Sequence, residues 1–286
     1  MSFLWDYIRV LPQFLLPQHA VSSIVYRMAR CEWPPLKHML IRSFIAWFKV
    51  DMSLAMQPEI SAYKHFNHFF TRALKPGVRP VAGDMQTIIC PVDGRISQIG
   101  KIHRGEIIQA KNRTYDLETL LAGDRDAVMA FTDGSFATLY LAPRDYHRVH
   151  MPLDGALIKM TYVPGRLLAV NTHTTRVVDK LFARNERVIS IFDTSLGPMG
   201  IILVGALNVG SMETVWAGAV TPARKREITT ADYKGREIVL HRGQEMGRFN
   251  MGSTVILLFA RDRMQWLPHP GPDDQISMGM PLGKKT

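Results

Sequence analysis

The chain has 286 residues, 47% of them hydrophobic and 21% charged, which excludes disordered, collagen-like and low-complexity proteins and suits one main domain with an appendage. Its two cysteines, Cys31 and Cys90, cannot build a disulfide framework or a four-ligand zinc site unaided. Lys and Arg number 35 against 25 Asp and Glu, and the net charge of +10 suits an anionic partner, but no zinc-finger spacing, RNA-binding aromatic signature or helix-turn-helix accompanies it, so no nucleic acid is expected.

The first residues, Met1 to Gln18, carry Asp6 and two prolines and lack the basic start and clean apolar run of a signal peptide. Val10 to Tyr26 is uncharged but contains Pro12, Gln13, Pro17, Gln18 and His19. A spanning helix takes about 20 mostly apolar residues, so none is expected here. Three of the five tryptophans (Trp5, Trp33, Trp47) fall within the first 50 residues. Arg9, Arg27, Arg30, Lys37, Arg42 and Lys49 face only Asp6 and Glu32 in the same stretch. Val21, Ile24, Val25 and Met28 recur at helical spacing, with Arg27 and Arg30 off that face. Leu36, Leu40, Phe44, Trp47 and Phe48 predict another amphipathic helix after a break at Pro34-Pro35. The pattern alone favours helices packed on the protein's own core over helices lying in a membrane interface.

After about residue 60, short β-rich runs alternate with Gly, Pro, Asp and Asn turns. Strands are predicted at Thr87–Cys90, Ile107–Ala110, Phe136–Leu141, Ala156–Tyr162, Arg187–Asp193, Gly200–Val209, Thr214–Ala219, Ile238–His241 and Thr254–Phe259. Asp116–Leu121 reads as a short helix, and the tail from Pro268 as irregular and exposed. Many strands without interleaved long helices predict an α+β, mainly β fold. It is a β-rich sandwich or barrel-like domain behind an N-terminal amphipathic helical segment.

Three segments hold residue types that carry chemistry. Tyr146-His147-Arg148-Val149-His150 offers two histidines, the default acid-base groups near neutral pH. Pro91-Val92-Asp93-Gly94 is first a turn signal, and second a carboxylate able to orient a histidine. Gly247 to Thr254 runs straight into the strand Val255–Phe259 and contains Gly252-Ser253. It is not the Gly-x-Ser-x-Gly elbow, and no phosphate loop or dinucleotide fingerprint is present.

Together these segments resemble the phosphatidylserine decarboxylases of the bacterial membrane-associated type. The resemblance rests on Phe69–Gly77 (FFTRALKPG), Pro91–Gly94 (PVDG), Tyr140–Pro152 (YLAPRDYHRVHMP), Val163–Leu167 (VPGRL), Phe182–Arg187 (FARNER), Gly210–Trp216 (GSMETVW) and Gly247–Phe259 (GRFNMGSTVILLF). Met251 stands where the family commonly has leucine, a volume-conserving change.

The resemblance implies a proenzyme that cuts itself between Gly252 and Ser253, giving chains 1–252 and 253–286. Asp93, His150 and Ser253 would form the triad for that cut, with His150 as base and Asp93 fixing its tautomer. Ser253 would become a covalent pyruvoyl group (a pyruvate cofactor made from the chain itself), forming a Schiff base with phosphatidylserine. Loss of carbon dioxide would yield phosphatidylethanolamine, with His147 as proton donor and no metal. The resemblance also implies that residues 1–58 dock at the cytoplasmic face of the cell membrane as a peripheral protein, and that 59–286 form the catalytic domain. The anionic membrane surface is the expected partner. The two cleavage chains would stay together as a heterodimer, and a homo-oligomer is left open. Arg166, Arg184 and Arg187 are phosphate-binding residues by charge alone and read first as solvated surface residues. Three other readings compete: an uncut serine hydrolase or transferase using Ser253, His150 and Asp93; a non-enzymatic β protein bound to anionic lipid; and a pyruvoyl decarboxylase of a soluble amino acid.

Overall fold

The computed structural model describes residues 5–7, 10–15, 17–110, 113–206, 211–221, 227–251 and 254–286. Its N-terminal part is helical: α1 (Pro12–Leu15), α2 (Gln18–Ala29), α3 (Pro34–Phe48) and, after an extended stretch, α4 (Phe66–Phe70). Pro34 and Pro35 occupy the first turn of α3. There a missing N–H costs nothing, so the predicted break is the helix start. Lys49 ends α3 in the left-handed conformation.

One face of α3 packs inward. Ile41 is fully buried, and Phe44 meets Phe66, Phe69 and Phe70 of α4 edge-on at 5.2–6.0 Å between ring centres. With Ala29, Val50 and Tyr63 these residues make a small second core. The opposite face is exposed and apolar: Trp47 is 85% exposed, Trp33 62%, and Ile24, Met28 and Met39 are also open to solvent. The inward face is the packing on the protein's own core that the pattern alone favours. The segment is tied to the body where Gln18 Oε1 accepts from Leu167 N–H and Gln13 Oε1 from Ala169 N–H.

The body is β-rich and antiparallel. In chain order the strands are β1 (Thr87–Ile89), β2 (Gly94–Lys101), β3 (Glu106–Ala110), β4 (Arg113–Asp116), β5 (Ser135–Tyr140), β6 (Arg148–His150), β7 (Gly155–Val163), β8 (Arg187–Thr194) and β9 (Gly197–Val204). They continue with β10 (Met212–Thr214), β11 (Gly218–Ala219), β12 (Thr229–Asp232), β13 (Val239–Leu240), β14 (Glu245–Phe249), β15 (Thr254–Phe259), β16 (Met264–Trp266), β17 (Gln275–Ile276) and β18 (Pro281–Lys285). The large sheet runs β12-β7-β8-β9-β15-β5-β2-β17, with β13 beside β7; a smaller one runs β11-β10-β14-β6; and β1-β18-β16 form a third. Strand β15 (TVILLF) is buried at every position because it lies between β5 and β9 and is covered on both faces. This explains its unbroken apolar run.

Several expectations change. Thr214–Ala219 is not one strand but the turn of the β10-β11 hairpin. The helix predicted at 116–121 is present as Leu117–Leu120, capped by the Asp116 side chain on Thr119 N–H. The tail is not irregular and exposed: β17 and β18 join two sheets, and Ile276 and Leu282 are buried. Its apolar residues are too few and too spaced by Pro, Gly and Asp to give a period. Strand β2 (GRISQIGK) escapes prediction for a similar reason, being half-buried along most of its length.

Candidate active site

Gly252 and Ser253 lie outside the described residues, but both flanks are fixed. Strand β14 ends at Phe249 in the small sheet, and β15 starts at Thr254 in the centre of the large one. Strand β6, which carries His150, pairs with β14. Pro91 O accepts from His150 N–H at 2.9 Å, which brings the Pro91–Gly94 turn to the same place. At Gly94, φ is +153°, and a Cβ would stand 2.2 Å from Tyr140 O, so β2 can join β5 only through glycine.

His150 is buried. Its Nδ1 lies 2.8 Å from Gly243 O and its Nε2 3.0 Å from the Tyr146 hydroxyl. A carbonyl can only accept, so Nδ1 carries the proton and Nε2 presents its lone pair to the Tyr146 O–H. Burial lowers the His150 pKa from its ordinary value, and the imidazole is neutral at neutral pH. Burial also pushes the Tyr146 phenol up to about 12.

Asp93 is buried and makes a two-pronged ion pair with Arg79, with Nη2 at 2.6 Å and Nε at 2.8 Å. It also accepts from Met278 N–H at 2.8 Å. Neither Asp93 nor His150 bonds the other among the described residues. The carboxylate acts on the imidazole only through its charge, while Gly243 O holds the tautomer. Asp93, Arg79 and Tyr146 line a cavity of about 230 Å³ together with Lys49, Arg72 and Arg144.

His147 is fully buried and stacked on Phe70, 4.1 Å between ring centres and 16° apart. Its Nε2 is 3.4 Å from Pro143 O, and its Nδ1 has no hydrogen-bond partner among the described residues. Burial, and then the Arg72 cation, push its pKa down to about 3, so its ring is neutral. Arg72 is itself buried and donates to Arg144 O at 3.1 Å, while its Nε and Nη1 lack partners among the described residues.

Arg187 is not a solvated surface residue. It is buried and donates to the carbonyls of Thr119, Leu120, Ala183 and Asn185, so its fork is used up inside the fold. Arg166 and Arg184 are exposed. Sequence reasoning missed Arg79, Gly243 and the role of Tyr146. Only Tyr146 had a local signal, four residues before His150. The Cys90 thiol is buried and its pKa is raised to about 12, mainly by that burial, which makes it inert.

A second cavity, of about 250 Å³, lies between α2 and α3 and is apolar. Val25, Met28, Leu40, Phe44 and Trp47 line it, and so does Met251, the last described residue before Gly252.

A mainly β body carries a pinned, neutral histidine on β6 against the Pro91–Gly94 turn, and an apolar helical face lies against Met251, an arrangement with the parts of an enzyme site. The family model described as phosphatidylserine decarboxylase matches residues 66–284, and a second, described as PSD, matches 8–49. The chain is 54% identical over 263 residues to the phosphatidylserine decarboxylase proenzyme of Acidovorax ebreus, covering 92% of each chain. It is 51% identical to that of Methylococcus capsulatus, covering 95% of this chain and 94% of the relative. It is 50% identical to that of Stutzerimonas stutzeri, covering 98% and 95%. The chain belongs to the phosphatidylserine decarboxylase family, and its activity is that of a carboxy-lyase.

Proposed function

We propose that the decarboxylation runs through a pyruvoyl group that the chain makes from Ser253 by cutting itself before that residue. The observation that carries this reading is His150, a buried neutral imidazole with Nδ1 held by Gly243 O and its basic Nε2 facing the Tyr146 hydroxyl. Ser253 Oγ adds to the Gly252 carbonyl carbon, the C–N bond breaks, and the hydroxyl proton ends on the new amine, leaving an ester. Nε2 already accepts from Tyr146, so the Ser253 proton reaches His150 through that hydroxyl. Asp93 favours the transient imidazolium by its charge. Removal of the Ser253 α-proton then breaks the Cβ–O bond and frees Gly252 as a carboxylate. The dehydroalanine that remains takes up water and loses ammonia.

The pyruvoyl carbonyl supplies an electron sink for the electron pair left behind by carbon dioxide. Neutral His147 acts as a proton relay: its Nδ1, unpartnered among the described residues, takes a proton from the substrate ammonium as the Schiff base forms and returns it to the α-carbon after carbon dioxide leaves. Its ring is fixed by Phe70, and Arg72 disfavours a charged imidazolium. Residues 1–58 act as the docking segment and 59–286 as the catalytic body. The apolar face of α2 and α3, with exposed Arg27, Arg42 and Lys49, lies against the cytoplasmic leaflet. Among the described residues no helix is long and apolar enough to cross a membrane.

Borohydride reduction in the presence of phosphatidylserine vesicles tests the reading. Lipid attached to the chain 253–286, with none on Ser253→Ala protein, is the expected result. An active protein to which borohydride fixes no lipid, or lipid fixed to the chain 1–252, would contradict it.

A further inference from the structure

Met251 has φ 141°, whereas the other described non-glycine residues with positive φ lie between 51° and 68°, in the left-handed helical well. Only glycine visits the region of Met251 freely, because a Cβ there crowds the flanking carbonyls. Such strain persists where the surroundings over-determine the backbone.

Here both ends and the side chain are held. Upstream, Asn250 is buried and its N–H donates to Ser211 O at 2.8 Å. Its Nδ2 lies 2.6 Å from Glu213 Oε1 and 2.9 Å from Ser211 Oγ, and its Oδ1 accepts from Asn67 Nδ2 at 2.8 Å. Downstream, Thr254 is locked into the large sheet opposite Tyr140 on one side and Val204 on the other. The Met251 side chain packs on the small core of Phe66 and Tyr63 and lines the apolar cavity.

We propose that Met251 is a positioning residue whose strained backbone, braced by Asn250, drives the acyl shift at Gly252–Ser253. The proposal rests on the self-cleavage reading. The shift replaces the path C–N–Cα by C–O–Cβ–Cα, which lengthens the bridge between Asn250 and Thr254 by one bond. The longer bridge lets Met251 leave φ 141°, so the strain at Met251 falls as the shift proceeds.

Met251→Ala and Met251→Gly test it. Both lose the thioether side chain, and they differ only in the Cβ that makes φ 141° costly. Full-length chains are made by cell-free translation and followed with and without hydroxylamine, which cuts the ester and so reads its formation apart from the later elimination. Met251→Gly should form the ester about tenfold more slowly than Met251→Ala, the difference lying in the activation enthalpy. Equal or faster ester formation in Met251→Gly would overturn the proposal. So would a slowing carried by the activation entropy, which would report a looser chain. A parent chain that neither cuts itself nor is cut by hydroxylamine would overturn the self-cleavage reading and this proposal together. A parent that cuts while the two variants match would overturn this proposal alone.

Discussion

At the scale of single residues, the proposed maturation turns on His150. Its Nδ1 is committed to Gly243 O, so only Nε2 can take a proton. His150→Ala should leave the chain uncut, with cleavage slowed about 100-fold or more on a denaturing gel. Normal maturation of that variant would remove the base from the account. The pH dependence has a definite sign. Burial holds the His150 pKa below the ordinary value of about 6.5, so self-cleavage should be level at and above that pH and fall only as the medium is acidified below it. A fall centred above pH 7 would assign the base elsewhere. Tyr146→Phe removes the hydroxyl from Nε2 and should slow cleavage about tenfold while leaving the fold intact.

His147 adds a stability effect. Its pKa is about 3 in the folded chain, against about 6.5 when unfolded. Between those values the unfolded chain binds the extra proton, so the stability present above pH 6.5 is lost progressively as the pH falls toward 3. Uncut Ser253→Ala protein should therefore melt at lower temperature at pH 5 than at pH 7. His147→Gln in that background should flatten the slope, and an unchanged slope would contradict the assignment. The histidines themselves were legible in the sequence through the Tyr146–His150 run. Their protonation was not, because it depends on Gly243, Phe70 and Arg72, which are distant in the chain.

At the scale of elements, the helical pattern of α2 and α3 was readable from the spacing of Val21 to Met28 and Leu36 to Phe48. Which face is buried was not readable. That depends on α4, whose three phenylalanines receive Phe44. The remaining face carries Trp47, Met39 and Met28, and that face should bind lipid. Trp47→Glu is expected to weaken binding to anionic vesicles about tenfold in a sedimentation assay and to leave self-cleavage unchanged. Equal vesicle binding would place the docking surface elsewhere. The strands with continuous apolar runs, β8, β9 and β15, were visible in the sequence, because burial on both faces demands such runs. The tail strands β17 and β18 were hidden, since each contributes only a single buried aliphatic residue, Ile276 or Leu282, to the body.

Those tail strands matter at the scale of the whole molecule, because they lie beyond the proposed cut and must stay attached to the body. Asp93 joins the two sides: its carboxylate holds Arg79 and Met278 N–H at once. Nearby, Cys90 N–H donates to Met280 O at 2.7 Å, and Gly279 N–H to Cys90 O at 2.9 Å. Asp93→Asn breaks a mostly buried ion pair, which costs about 3 kcal/mol or more when one partner is left unpaired. The variant should accumulate uncut proenzyme and melt at lower temperature than Ser253→Ala. Wild-type stability in Asp93→Asn would contradict the clamp. The +10 charge adds a long-range attraction to anionic lipid that salt should weaken.

The central claim is the conversion of Ser253, and intact mass under denaturing conditions tests it most directly. Two chains, covering residues 1–252 and 253–286, should appear in place of the 32.4 kDa whole. The smaller should be lighter than its unmodified sequence by one ammonia and should resist Edman degradation. A single uncut chain that still decarboxylates phosphatidylserine would contradict the account.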